Sequence, residues 1–237
     1  MSDTRPTAVW HGQLWLAPDH CLIRGQAGQT GSHAHYPHQV LIAASGEVQA
    51  VIDGTLQRGP LLLIESGREH AIVAGEQSML SLFAEPLAFD LPRLRQVCEA
   101  AGADAERLAA LLAQVPRRTL QPRLAKAVQR LRALDAEALP AAELAATAAL
   151  SLSQLERLFS GQLGASVRRL VLWQRLRLAL QLALSGHSLT DAAAMAGFAD
   201  SAHLSRSIRR QFGIRGDQTL RHLELRLIGQ SIAQAGG

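Results

Sequence analysis

The spacing of apolar residues changes part-way along the 237-residue chain. In the first third, short apolar stretches alternate with turn sequences that contain glycine. Short, regularly punctuated strands of this kind are typical of a β-sandwich or a β-barrel. Asp53-Gly54 is predicted to form a tight hairpin, because glycine accepts the positive φ that such turns need. The predicted strands are Val40–Ala44, Val48–Ile52, Leu61–Ile64 and Met79–Phe83.

From Leu91 onward the apolar residues recur at every third and fourth position, which predicts amphipathic helices. The first expected helices are Leu91–Ala101, Ala105–Gln114 and Gln121–Leu134, with Pro116–Pro122 as a linker before the third. A last helix is expected over Thr219–Ile232. The pattern predicts a two-domain α+β protein, with a β-rich N-terminal half and an all-α C-terminal half.

The segment Leu144–Phe159 has the layout of a helix-turn-helix. Its first helix is expected to end near Ala148, and a tight turn follows. Ser151 or Ser153 is then placed to cap the second helix by accepting a backbone N–H.

The layout recurs in Leu189–Phe212, where Gly197 supplies the turn and Asp200 or Ser201 caps the next helix. Between the two units, Ser166–Ser185 is predicted to be one helix of about 30 Å. Successive major grooves on one face of DNA lie about 34 Å apart. One chain is therefore expected to place two recognition helices in consecutive major grooves.

The charge of the chain is divided unevenly. Residues 1–115 hold 7 basic and 12 acidic residues, and residues 116–237 hold 17 basic and 8 acidic ones, which gives net charges of −5 and +9. A basic half favours a polyanionic partner such as DNA. The sequence lacks a long apolar span and an apolar signal core, and its 2 cysteines lie far apart. These features predict a cytoplasmic protein without a membrane segment.

A set of residues spread over roughly 140–213 follows a known family pattern: Leu144-Ala145, Leu150-Ser151, Leu155–Phe159, Leu163-Gly164, Arg175-Leu176, Ala179, Leu182, Ala193, Ala196–Asp200, His203–Arg206 and Arg210–Gly213. In these residues the C-terminal half resembles the DNA-binding domain of the AraC/XylS family of transcription regulators. The chain departs from the family pattern at Ile208, where an aromatic residue is usual, and at Arg215-Gly216, where Thr-Pro is usual. We expect the helix over Thr219–Ile232 to compensate.

The resemblance implies that both recognition helices read bases and that flanking arginines bind phosphates. Arginine suits guanine and glutamine suits adenine in the major groove, whereas phosphate contacts position the protein without specifying sequence. The implied base-facing residues are Ser153, Gln154, Glu156, Arg157, Ser201, Ala202, His203, Ser205 and Arg206, and the implied phosphate contacts are Arg168, Arg169, Arg209 and Arg210.

The N-terminal half is similar to a cupin barrel, a common sensing domain in this family. The resemblance rests on the segments 31–46 and 59–70, which hold His33, His35, Gln39 and His70 at the positions of the cupin metal ligands. Gln39 stands where cupins usually have glutamate. Three imidazoles suit Zn²⁺, Fe²⁺, Ni²⁺ or Cu²⁺, but an amide is a weaker ligand than a carboxylate. A divalent metal, a small-molecule effector and histidines without a ligand all stay open.

The resemblances imply a DNA-binding regulator, not an enzyme, with DNA and a small-molecule or metal effector as partners, and RNA polymerase if it activates. The alternative is a cupin metalloenzyme with a helical appendage. The predicted domains are a barrel over 1–90, a helical connector over 91–117, a DNA-binding unit over 118–222 and a helix with a tail over 223–237. Leu108, Leu111 and Leu112 in the connector form a stripe that suits either a homodimer seam or packing on the barrel.

Overall fold

The computed structural model describes residues 11–27, 29–73, 77–132, 140–163, 166–212 and 223–228. Eight strands come first in the chain: β1 (His11–Leu16), β2 (His20–Ala27), β3 (His38–Ala43), β4 (Val48–Ile52), β5 (Thr55–Gly59), β6 (Leu61–Ile64), β7 (His70–Ile72) and β8 (Gln77–Ala84). Eight helices and one strand follow: α1 (Leu91–Ala101), α2 (Ala105–Gln114), α3 (Pro122–Arg132), α4 (Ala141–Thr147), α5 (Leu152–Leu163), α6 (Val167–Leu184), α7 (Leu189–Met195), α8 (Ser201–Phe212) and β9 (Leu223–Leu227). The two-domain α+β architecture predicted from the sequence is confirmed.

The N-terminal strands form two sheets rather than the expected closed barrel. The larger has the order β6-β3-β8-β2-β1-β9 and the smaller the order β5-β4-β7. Leu41 from the larger sheet and Ile72 from the smaller share one core, and aromatic residues of the helical half extend it. Because the helices cover apolar surface that a barrel would enclose, the sheets need not close on each other. The hairpin at Asp53-Gly54 forms as predicted, with φ of 46° and 79°.

The opposite face of the larger sheet is covered by α1 and α2. Leu80 and Leu82 of β8 pack there against Leu94 of α1 and against Leu108 and Leu112 of α2. Both leucines of α2 are fully buried. The leucine stripe of the connector therefore packs on its own domain, which is one of the two arrangements that the sequence allowed.

Helix α6 lies between the two helix-turn-helix units and also faces the N-terminal domain. A helix that is buried on several sides carries apolar residues around its circumference, and α6 buries Leu170, Val171, Trp173, Leu176 and Ala179. Its bounds agree with the predicted helix over Ser166–Ser185, whose end residues are the caps. None of the described helices is long and apolar enough to span a bilayer.

The expected helix over Thr219–Ile232 is wrong for its described part, because residues 223–227 form β9. This strand pairs in parallel with β1, so that Leu225 lies opposite Leu14 and Leu227 opposite Leu16. Leucine alternates with polar residues in this segment, which is the period of a strand and not of a helix. Leu223 and Leu225 pack against the main core. The chain thus returns from the second helix-turn-helix to the edge of the N-terminal sheet.

A buried carboxylate joins the two halves of the molecule. Glu85 lies just after β8 and has no exposed surface. Its two oxygens accept hydrogen bonds from Arg132 of α3 and Gln174 of α6. Arg177, one turn further along α6, donates to the backbone oxygens of Ala17 and Pro18. These contacts tie helices of the C-terminal half to the N-terminal strands.

A second ion pair supports the same junction. Arg117 in the linker donates to Asp19 at 2.7 Å, and its guanidinium lies 4.4 Å from the ring centre of Phe89. Although burial alone raises the pKa of Asp19, hydrogen bonds from His20 and Arg117 hold that pKa well below its ordinary value. The carboxylate is therefore ionised throughout the neutral range and remains available to Arg117.

We expect Arg132→Ala to lower the free energy of unfolding by about 3–5 kcal/mol, because it removes the cation that hydrogen-bonds to the buried Glu85 carboxylate. Arg95→Ala is the matched control, since Arg95 forms an exposed pair with Glu99 on α1; it should cost less than about 1 kcal/mol. Urea denaturation of both variants measures the difference. Equal losses would contradict the buried-pair interpretation.

Candidate nucleic-acid interface and histidine cluster

The first helix-turn-helix consists of α4 and α5. The tight turn between them passes through Ala149, which takes a left-handed φ of 52°. Ser151 and Gln154 form a reciprocal cap at the start of α5: the Ser151 hydroxyl accepts from the Gln154 N–H, and the Gln154 side-chain oxygen accepts from the Ser151 N–H. The side-chain oxygen of Gln154 is thus used within the helix cap, which leaves the side-chain NH₂ group available to donate a hydrogen bond to a DNA base.

The outer face of α5 carries the other residues expected to touch bases. Ser153 and Arg157 are exposed, and Glu156 is half-buried. Arg168 and Arg169, in the first turn of α6, line an open groove together with these three residues. The structure therefore brings the expected base-facing and phosphate-binding residues of the first unit together on one polar surface.

The second helix-turn-helix repeats this construction in α7 and α8. Gly197 provides the left-handed turn with a φ of 76°. Asp200 caps α8 by accepting from the His203 N–H at 2.5 Å. Leu204, Ile208 and Phe212 point inward and are buried, as predicted. Ile208 thus fills its core position without the usual aromatic ring, whereas Arg215-Gly216 lie outside the described residues.

The outer face of α8 is a continuous polar surface with three arginines. The Nδ1 atom of His203 accepts from the Ala199 N–H at 3.4 Å, and its ring packs edge-on against Phe198. That contact places the proton of neutral His203 on Nε2, so the exposed edge of the ring is a hydrogen-bond donor. The exposed residues of this face are Ala202, His203, Arg206, Arg209 and Arg210, and Ser201 and Ser205 are half-buried.

A second polar cluster lies inside the N-terminal domain. His33 and His70 exchange both backbone hydrogen bonds at 2.9 Å, which places their side chains next to each other. His35 lies two residues beyond His33, and Gln39 lies on β3. The ligand atoms of His33, His35 and His70 are all within 4.8 Å of one another. The structure therefore assembles the four residues that the sequence predicted.

The three imidazole rings are held in one tautomer. Each Nδ1 atom contacts a backbone oxygen at 2.8–2.9 Å: Gly31 for His33, Pro37 for His35 and Arg68 for His70. A carbonyl only accepts, so each Nδ1 carries the proton and each Nε2 presents a lone pair. This arrangement is the usual support of metal-binding histidines.

Gln39 completes the cluster through its side-chain oxygen. The oxygen lies 3.2 Å from Nε2 of His35 and 2.9 Å from Nε2 of His70, while its NH₂ group donates to Ser81 at 3.0 Å. Acceptors that converge without a donor repel one another. Two changes relieve this repulsion: rotation of the Gln39 amide, which turns its NH₂ toward the histidines, or a cation at the centre.

Burial keeps the cluster uncharged at neutral pH. Desolvation and the neighbouring His70 lower the pKa of His33 to about 4. Desolvation, His70 and His33 lower the pKa of His35 to about 3, and desolvation also lowers the pKa of His70. A metal binds only the neutral imidazole. The donor set fits a divalent transition metal, although the ligand atoms must draw together to reach the ~3.3 Å spacing implied by Zn–N bonds of about 2.0–2.1 Å.

Comparisons with known proteins place the C-terminal half in a family. Residues 144–222 match the family model described as a helix-turn-helix domain. The chain is 33% identical to a transcriptional regulator from Chromobacterium violaceum with an AraC-type DNA-binding domain; the match covers 40% of this chain and 86% of that one, with a TM-score of 0.37.

The chain belongs to the AraC/XylS family of transcription regulators. It is also 30% identical to the DNA-binding domain of AdpA, solved with a target DNA, over 40% of this chain and 86% of that one, with a TM-score of 0.36. A single-residue variant of apo ToxT from Vibrio cholerae shares the two-domain fold at 9% identity and a TM-score of 0.51, over 82% of this chain and 92% of that one. Comparison with curated proteins gives no match.

Several residues of this AraC-family protein were not found by sequence reasoning. Ser81 supports Gln39, and Phe83 packs on His35, but both lie within an ordinary apolar strand. Gln174 and Arg177 are buried in α6. The sequence signals these two residues only by their positions, because both are polar residues that interrupt an apolar face of the helix, three residues apart.

We expect Arg206→Ala to lose about 1–3 kcal/mol of binding free energy at the cognate site and to relax the preference at one base pair. Arg209→Ala is the matched control on the same exposed face. It should weaken binding about equally for all sequences and reduce the salt slope by about 1. Fluorescence anisotropy with single-base variants, at several salt concentrations, separates the two. An unaltered base preference in Arg206→Ala would remove Arg206 from the base-reading set.

Proposed function

We propose that this regulator binds a specific double-stranded DNA site through α5 and α8, and that a divalent metal held by His33, His35, Gln39 and His70 modulates this binding. The observation that carries the DNA part is the pair of exposed, arginine-bearing recognition helices joined by α6. The observation that carries the sensing part is the grouping of His33, His35 and His70, whose ligand atoms lie within 4.8 Å of one another, with the Gln39 oxygen beside Nε2 of His35 and of His70.

The separation of the recognition helices supports binding to consecutive major grooves. Helix α6 has 18 residues and is therefore about 27 Å long. Half-sites one helical turn apart lie about 34 Å from each other. One chain then reads two half-sites, and a homodimer through Leu108 and Leu112 is not required, because both leucines pack on their own domain. RNA polymerase is the further partner if the regulator activates transcription.

The chemistry of the cluster supports a metal as the effector. Imidazole nitrogen with one amide oxygen suits Zn²⁺, Ni²⁺ or Fe²⁺. The Nε2 atoms of the three histidines and the side-chain oxygen of Gln39 would hold the ion. The backbone oxygens at Nδ1 and the hydroxyl of Ser81 already orient these side chains. The acceptor atoms would coordinate the positively charged ion, and their mutual repulsion would be relieved.

We propose that the protein is a cytoplasmic regulator and not a cupin metalloenzyme. The family match and the paired recognition helices support this choice. Gln39 also stands where cupins usually have a glutamate ligand, so the cluster departs from the usual cupin metal site. Turnover of a candidate substrate by the intact protein would favour the alternative.

The DNA-binding proposal is tested by in vitro selection of genomic fragments with the purified full-length protein, beside Arg157→Ala and Arg206→Ala. A motif of two half-sites about one helical turn apart should emerge. Arg157→Ala should degrade the half-site read by α5 and Arg206→Ala the one read by α8. Enrichment that depends only on salt, with no shared motif, would contradict specific recognition.

We expect Zn²⁺ to raise the thermal midpoint of the wild-type protein, because binding to the folded state stabilises it by mass action. His70→Ala should abolish this increase. His38→Asn is the control, since His38 lies outside the cluster and its Nδ1 accepts from the Ser66 N–H, a role that the asparagine oxygen preserves. Calorimetric titration should show one Zn²⁺ per chain in wild type and in His38→Asn. Equal Zn²⁺ binding by His70→Ala would contradict the assigned site.

A further inference from the structure

One aromatic ring lies between the histidine cluster and the second recognition helix. Phe83, on β8, is 1% exposed. Its ring centre is 5.3 Å from that of His35, in an edge-to-face contact. On its other side it meets Phe212, the last residue of α8, edge-to-face at 5.4 Å. Phe83 therefore contacts both His35, a proposed metal ligand, and Phe212 at the C-terminal end of α8.

The same ring also reaches α6. Trp173 lies 6.3 Å from Phe83 and 5.9 Å from Phe212, so the three rings form a closed aromatic cluster. Trp173 is 1% exposed. Aromatic pairs at these distances contribute beyond the apolar area that they bury. A change in the position of Phe83 must therefore be accommodated by α6, which lies between the two helix-turn-helix units, and by the C-terminal end of α8.

The sheet register makes Phe83 respond to the cluster. Gln39 of β3 lies directly opposite Phe83 of β8. Ser81, two residues before Phe83 and on the same face of the strand, accepts the hydrogen bond from Gln39. Ligation that moves His35 or Gln39 therefore acts on Phe83 from two neighbours. Close-packed interiors transmit such displacements because they contain few voids that absorb them.

We propose that Phe83 is a positioning residue that couples the state of the histidine cluster to the placement of α8, and so sets the affinity for the half-site that α8 reads. The inference rests on the proposed function in one respect, namely that the cluster is the effector site. Coupling requires that the two states of the cluster favour different positions of α8. The half-site read by α5 should depend on the cluster less than the one read by α8.

A double-mutant cycle tests the coupling without any metal. His35→Ala alters the cluster, and its effect on DNA affinity is measured with Phe83 intact and in Phe83→Leu. We expect His35→Ala to change affinity for the full site at least fivefold in the wild-type background. The change should fall below twofold in Phe83→Leu. DNA in which the α8 half-site is scrambled should show little of this change in either background.

Phe89→Leu is the matched control, because Phe89 is an equally buried phenylalanine that packs on the opposite face of the larger sheet. It should leave the effect of His35→Ala intact. Phe212→Leu removes the ring of α8 that Phe83 contacts, so it should also abolish the effect of His35→Ala on DNA affinity. If Phe83→Leu does not fold, Phe83→Met keeps apolar volume without the ring and is measured in its place. An undiminished effect in the Phe83 variant, or no effect of His35→Ala in wild type, would overturn the proposal.

Zn²⁺ provides a separate arm with an optical readout. Trp10 and Trp15 are replaced by phenylalanine, so that emission reports on Trp173 alone. Zn²⁺ should shift this emission when Phe83 is present and not in Phe83→Leu, although both proteins bind the ion. Failure of the protein with Phe83 intact to bind Zn²⁺ would contradict the metal proposal, and the metal-free cycle would then decide the role of Phe83. Binding to both with an identical emission shift would count against Phe83.

Discussion

The buried carboxylate of Glu85 fixes how the two halves of this regulator meet. A buried charge without partners is costly, so the chain must supply donors wherever Glu85 lies. Those donors come from Arg132 on α3 and Gln174 on α6. The N-terminal sheets and the helix between the recognition units are therefore held in one arrangement. The rest of the architecture follows from that junction.

The junction explains why the N-terminal sheets stay open. Phe83 of β8 packs against Trp173 and Phe212 of the helical half instead of against a further strand. The sheets that carry the histidine cluster and the two helix-turn-helix units consequently share one hydrophobic core. The outer faces of α5 and α8 nevertheless remain exposed.

Much of this fold follows from periodicity in the sequence. Val48–Ile52 and Leu61–Ile64 are strands with the predicted bounds, and α1 and α2 also match, because single faces of these elements are buried and the pattern shows it. β9 was expected to be helical, since its alternating leucines are meaningful only against β1, more than 200 residues earlier in the chain. The alternation over these five residues is a local signal of a strand, but the local sequence does not identify β1 as its partner.

The residues of the candidate sites were likewise predictable from the sequence only in part. His33, His35, Gln39 and His70 were predicted from the resemblance to the cupin motifs, and the sheet register brings them together. Ser151 and Asp200, which cap α5 and α8, were each predicted as one of two candidates for the cap. In contrast, the roles of Glu85, Arg177 and Phe83 depend on how the domains pack, which no local pattern specifies. The use of the Gln154 oxygen in a cap also depends on a side-chain orientation that spacing leaves open.

We propose that the histidine cluster and the DNA surface are thermodynamically linked. Linkage is reciprocal: if Zn²⁺ changes the affinity for DNA, bound DNA must change the affinity for Zn²⁺ by the same factor. The most direct measurement is calorimetric titration of Zn²⁺ into the full-length protein, free and saturated with its selected DNA site. We predict that the two Zn²⁺ affinities differ by about fivefold or more. Identical Zn²⁺ affinities in the two states would contradict the account.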